Sequence, residues 1–179
     1  MPRYVALLRG INVGKNNRIS MADLRALVEK LGHADVRTHL NSGNVVFTAP
    51  EQSNETLAVE IEAAITTTFG FDLPVIVRAA REMREVVENN PFPEHEADPT
   101  TLHVAFLAAR ADPDLVAALA DAPRGDDDYQ VISTEVYLHY PNRISGAVFM
   151  PNGLDKALQV ATTSRNWRTV TALAAMADG

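Results

Sequence analysis

Strand and helix patterns follow one another in a fixed order over residues 3–77, and that order limits the fold more than any composition figure does. Val5, Ala6, Leu7 and Leu8 are apolar without alternation, as in a strand covered on both faces. A helix follows. Ser20 suits an N-cap, Asp23 three residues on completes a capping box, and Ile19 and Leu24 have the spacing of a hydrophobic staple. Met21, Leu24, Leu27, Val28 and Leu31 make one apolar stripe, and Gly32 stands where a left-handed C-terminal residue belongs. Residues 36–40 and 45–48 read as two strands joined by a turn at Asn41-Ser42-Gly43-Asn44. Ser53 or Asn54 caps a second helix with the stripe Leu57, Ile61, Ile65 and Phe69, ended by Gly70, and residues 73–77 form a fourth strand.

The order β-α-β-β-α-β is the split βαβ of a ferredoxin-like unit. After a short helix near 81–88, Asn90-Pro91-Phe92-Pro93 and an acidic stretch to Thr100 mark the best internal boundary. Beyond it, residues 102–107 read as a strand, 113–120 as a helix, 129–132 and 136–140 as a hairpin, and 154–160 and 167–176 as helices, with Arg165-Asn166-Trp167 opening the last. The second half is thus β-α-β-β-α-α, a partial echo of the first without a repeat in sequence. The expected fold class is α+β: a ferredoxin-like βαββαβ subdomain over 1–89, and a partly similar α/β half over 90–179 packed against it. An open apolar sheet face needs a cover, which a second half would supply.

This topology has a consequence for function. Strands one and two run parallel with strand three between them, so the end of strand one lies beside the turn between strands two and three. Arg9, Asn12, Gly14 and Lys15 then face Asn41, Ser42 and Asn44. Glycine lets backbone N–H groups approach a ligand, Asn and Ser add donors, and the first helix points its N-terminus at this edge. A phosphate, carboxylate or nucleotide is the natural guest. The P-loop pattern fails at both ends, with Arg9 in place of its first glycine and Asn16 after Lys15. The alternative is that Gly10, Gly14 and Gly43 only serve turns.

Charge agrees with that placement. The chain carries a net −7, which argues against a general nucleic-acid binder. Residues 1–46 nevertheless sum to +4 and the remainder to −11, so both loops lie in the basic part. The 179 residues contain no cysteine, which removes disulfides and thiol chemistry. The opening apolar run is too short for a signal peptide, and nothing approaches the roughly 18 apolar residues of a membrane span. The expectation is a cytoplasmic protein with no membrane partner.

The strings Tyr4-Val5-Ala6-Leu7-Leu8-Arg9-Gly10-Ile11-Asn12-Val13-Gly14, Ser42-Gly43-Asn44-Val45-Val46-Phe47, Asn90-Pro91-Phe92-Pro93, Glu135-Val136-Tyr137-Leu138 and Thr163-Ser164-Arg165-Asn166-Trp167-Arg168-Thr169-Val170 together resemble the bacterial family called domain of unknown function 1697. The resemblance implies an α+β fold with ferredoxin-like subdomains and no established activity, so it carries over no catalytic residue and no cofactor. Related chains commonly read Ser-Lys-Leu in the region after Pro141; here it is Ile144-Ser145-Gly146-Ala147-Val148-Phe149, which removes a basic contribution. Arg168 also stands where the family often has another polar residue.

Other chemistry is sparse. Trp167, Val170, Leu173 and Ala177 make a core stripe, with Ser164 or Asn166 as the cap. Arg165 near that helix start opposes its dipole, which points to an internal partner or an anion there. His33, His39, His95, His103 and His139 form no H-x-x-x-H or H-E-x-x-H pattern, so no metal site is expected; His103 and His139 sit on strands that can be neighbours. Asp126-Asp127-Asp128 reads as a solvated turn before it reads as a cation site. The resulting expectation is binding of a small anionic ligand, a nucleotide or phosphorylated metabolite, by Arg9, Asn12, Gly14, Lys15, Asn41, Ser42, Asn44 and Arg165. An RNA-binding module of the same strand order is one alternative, although only Phe47 supplies an aromatic on strand three. A protein-assembly unit without a small-molecule site is the other.

Overall fold

The computed structural model describes residues 1–149 and 153–179. By contacts the chain forms two units, Met1–Glu85 with Ala172–Gly179, and Val86–Thr171. The first unit contains β1 (Arg3–Leu8), α1 (Met21–Lys30), β2 (Ala34–His39), β3 (Asn44–Thr48), α2 (Asn54–Phe69) and β4 (Val75–Ala79), followed by α3 (Ala80–Glu88), which runs past its boundary. Its sheet has the order β2-β3-β1-β4 with every neighbouring pair antiparallel, which is the ferredoxin-like arrangement.

Local chemistry sets these elements. The Ser20 hydroxyl accepts from the Asp23 amide at 3.0 Å and donates to the Asp23 carboxylate at 2.7 Å, so the reciprocal cap forms side chain to side chain. Ile19 and Leu24 are both buried in the core beneath that cap. Ser53 caps α2 through the Thr56 amide, and Gly70 ends it at φ +78°. Tyr4, Ala6, Leu8, Val45, Phe47, Val75 and Val77 pack one sheet face against Leu24, Leu27, Val28, Leu57, Ile61 and Ile65 of α1 and α2. Val5, Leu7, Val46 and Ile76 of the opposite face are buried too, so the unalternating run of β1 has its expected cause.

The second unit holds β5 (Leu102–Leu107), α4 (Pro113–Ala118), β6 (Asp128–Ile132), β7 (Glu135–His139), α5 (Leu154–Leu158) and β8 (Thr162–Asn166), in a sheet of order β6-β7-β5-β8. The last helix, α6, runs Trp167–Asp178. The expected order β-α-β-β-α-α lacks a strand that the structure contains. Arg165 and Asn166, expected to open the last helix, belong to a strand that pairs with β5, and the second unit is a full βαββαβ. Asn166 does cap α6, accepting from the Thr169 amide at 2.9 Å, and Trp167, Val170, Leu173 and Ala177 are buried.

The echo between the units extends to single hydrogen bonds. Leu8 N–H donates to Gly43 and Leu107 N–H to Thr134, both at 2.8 Å. Arg9 N–H reaches Pro74 as Ala108 N–H reaches Ala161, and Ala49 N–H reaches Pro2 as Tyr140 N–H reaches Thr101. Val5 opposes Arg78 in one sheet, and Val104 opposes Arg165 in the other. Among the described residues no helix is long and apolar enough to cross a membrane.

Candidate ligand-binding edge of the first unit

Two loops leave the same edge of the first sheet. One spans residues 9–20 between β1 and α1, and the other residues 40–43 between β2 and β3. Their counterparts in the second unit are shorter, 108–112 and 133–134. Matched register makes the comparison direct. His39 pairs with Asn44 to close the first hairpin and Ile132 pairs with Glu135 to close the second, so the first unit inserts two residues at the turn. Both enlargements fall at one edge of one unit.

The loops touch as the topology demands. Asn12 Nδ2 donates to the Asn41 carbonyl at 2.9 Å and to the Ile19 carbonyl at 2.8 Å, while Asn12 Oδ1 accepts from the Ile19 amide at 3.1 Å. Asn12 is therefore a staple whose amide is spent internally. Asn44 is fully buried as the first residue of β3 rather than the last of the turn, and its Nδ2 donates to the His39 carbonyl at 2.7 Å and the Ser42 hydroxyl at 3.0 Å. Gly43 lies over Leu8 and Ile11: a Cβ there would sit 2.8 Å from the Leu8 Cβ and the Ile11 Cδ1. Leu40, expected at the end of β2, is in the turn instead.

Backbone conformation and charge are the other features of this edge. Gly10, Asn12 and Gly14 have φ of +70°, +55° and +64°, so left-handed residues alternate along the loop. Alternation of this kind can curl neighbouring N–H groups into a concavity suited to an anion; here the Asn12 N–H closes the loop on the Asn17 carbonyl at 3.1 Å, which leaves its neighbours to such a role. Lys15 is exposed, Asn41 and Ser42 are exposed, and Arg9 is half-buried. Arg18, absent from the expected set, donates from Nη2 to the Gly14 carbonyl at 3.0 Å and places a second guanidinium in the loop. The signal for it was charge: residues 9–20 hold Arg9, Lys15 and Arg18 and no acid, and residues 36–50 hold no acid either.

Arg165 lies in the second unit on β8, where it is buried and its Nη1 donates to Thr163 Oγ1 at 2.7 Å and the Ser164 carbonyl at 2.8 Å. Burial draws its guanidinium down to about 10. Arg78, at the same register position of β4, is likewise buried and donates to the carbonyl of its preceding residue, Val77, at 2.9 Å.

The remaining candidates have local roles. Asp127 accepts from the Val148 and Phe149 amides at 2.6 and 2.9 Å and so organises a loop. His139 stacks on His95, with ring centroids 3.7 Å apart, while His103 meets Tyr140 edge-on. Phe47 is fully buried and stacks on Tyr4, so its ring is not open to a base. Two clefts of about 470 and 460 Å³ open at the other end of β1, lined around Tyr4 and Glu82 and around Arg3 and Arg84, and include none of the expected residues.

Residues 1–137 match the model of a family described as protein of unknown function (DUF1697). No curated protein matches the chain. Among solved structures, the conserved bacterial protein SP0830 from Streptococcus pneumoniae is similar over 98% of both chains, with a TM-score of 0.74 and 24% identity. That likeness bears on the fold.

Proposed function

The chain belongs to the DUF1697 family, and on that premise, which assigns no activity, we propose that the loop edge of the first unit binds a small anionic ligand of the nucleotide or phosphorylated-metabolite class. One observation carries the reading. A loop with three cations and no acid, left-handed at alternate residues, is pinned by Asn12 against a neighbouring turn in a chain of net charge −7. Pinning matters because a loop already held in its bound shape loses little entropy on binding. The N-terminus of α1 adds less than the sequence promised, because Asp23 already occupies its first turn. Arg9, Lys15 and Arg18 supply the charge, backbone N–H groups on either side of Asn12 with Asn41 and Ser42 supply donors, and Asn12, whose own N–H donates to the Asn17 carbonyl at 3.1 Å, holds the frame with Asn44. The reading is one of binding and names no reaction.

The test is thermal shift against inorganic phosphate and nucleotides. Lys15→Ala is expected to abolish ligand-induced stabilisation while leaving the ligand-free melting point within about 1 °C, since the residue is exposed. Asn12→Ala is expected to lower the ligand-free melting point itself. Equal loss of stability in both variants would make the loop purely structural.

A further inference from the structure

Two largely exposed aliphatic side chains stand at this edge. Val13 is 73% exposed and Leu40 is 58% exposed. Each is one residue from the hydrogen bond that joins the loops, Asn12 Nδ2 to the Asn41 carbonyl at 2.9 Å. Single exposed aliphatics are ordinary. Leu40 is not, because its φ is +58°, a conformation that asparagine or glycine adopts at far less strain. The equivalent hairpin of the second unit also needs a left-handed residue and has Ser133, φ +56°, in its turn. Leucine at 40 therefore carries backbone strain while leaving more than half of its surface exposed, which is the pattern of a residue serving something outside the chain. Cations flank the pair. Lys15 is two residues from Val13, and the Arg18 guanidinium is bonded to Gly14, its neighbour.

Building on the anion-binding reading, we infer that the ligand is a phosphate monoester with an aliphatic tail: the phosphate takes backbone N–H groups on either side of Asn12 with Arg9, Lys15 and Arg18, and the tail lies along Val13 and Leu40. A fully buried methylene is worth up to about fourfold in affinity, and one covered on a single side about twofold.

Titration calorimetry of the full chain with inorganic, methyl, butyl and hexyl phosphate tests this, with vesicles containing phosphatidic acid, the lipid phosphate monoester, as a separate arm. The expected result is a rise of about thirtyfold from methyl to hexyl phosphate at twofold per methylene. In Leu40→Asn and Val13→Ser the ratio of the hexyl to the methyl constant is expected to fall severalfold. Leu40→Asn relieves strain, so its melting point is expected to stay level or rise, which keeps the variant informative. Phosphate binding that depends on Lys15 but not on tail length would overturn this inference and leave the anion site standing. No binding of any phosphate would overturn both. Vesicle binding without response to the soluble esters would overturn the small-ligand form in favour of a lipid surface.

Discussion

Gly43 and Gly70 share a left-handed backbone, with φ of +79° and +78°, but differ in what surrounds them. A Cβ at Gly70 meets nothing within 4 Å, whereas at Gly43 it meets Leu8 and Ile11. Gly70→Ala then costs only the conformational term, about 1 kcal/mol. Gly43→Ala adds overpacking against the end of β1, for roughly 2–4 kcal/mol in all. Urea unfolding of the two variants should separate them clearly; equal losses would mean the Gly43 contact relaxes freely. His103 makes a second case of surroundings deciding chemistry. Its Nδ1 is buried without a hydrogen bond among the described residues, and burial pushes the imidazole down to about 4. The unfolded chain takes up that proton near 6.5 and the folded chain near 4, so the folded state loses stability as pH falls through that window and levels off below it. Partial exposure limits the loss to about 1–2 kcal/mol. A His103→Leu variant should show a shallower acid limb in its denaturation midpoint between pH 6.5 and 4, and an unchanged limb would remove His103 from the account.

At the scale of elements, the contrast between β4 and β8 shows what a sequence discloses. Val75, Ile76 and Val77 announce a buried strand by composition, while Thr162, Thr163, Ser164 and Arg165 do not. Thr162, Thr163 and Arg165 are nonetheless buried. The second group is a strand because β5 offers it an edge in antiparallel register, a long-range cause that no local pattern encodes. Helix ends were legible where caps are local, as at Ser20 and Ser53. The meeting of the two loops was legible for another reason: element order alone puts the end of β1 beside the β2–β3 turn. The division of labour within them was not. Whether an asparagine faces outward or staples its own loop depends on backbone angles such as the +55° at Asn12, which only the folded loop fixes. Arg18 went unread because its importance comes from reaching the Gly14 carbonyl, and Val13 and Leu40 because aliphatic residues are read as core by default.

At the scale of the whole molecule, the first unit is discontinuous in sequence. Its last members, Ala172–Gly179, arrive after the entire second unit has been made. Within that segment Leu173, Ala174 and Ala177 are buried, and Asp178 holds Arg84 through a 2.7 Å ion pair. The pair is exposed, so its own worth is about 0–1 kcal/mol and the apolar residues matter more. Removing a buried leucine alone costs about 2–5 kcal/mol, a large part of the 5–15 kcal/mol that holds a domain folded. A chain ending at Thr171 should therefore lose stability chiefly in the first unit, although every residue of both sheets is still present. Hydrogen exchange reads this directly. Amides of β1, β3 and β4 are expected to lose protection by two or more orders of magnitude, while those of β5 and β7 keep most of theirs. Loss spread evenly over both sheets would mean that the two units unfold as one cooperative body, and no loss would mean that the first sheet is complete without its C-terminal segment.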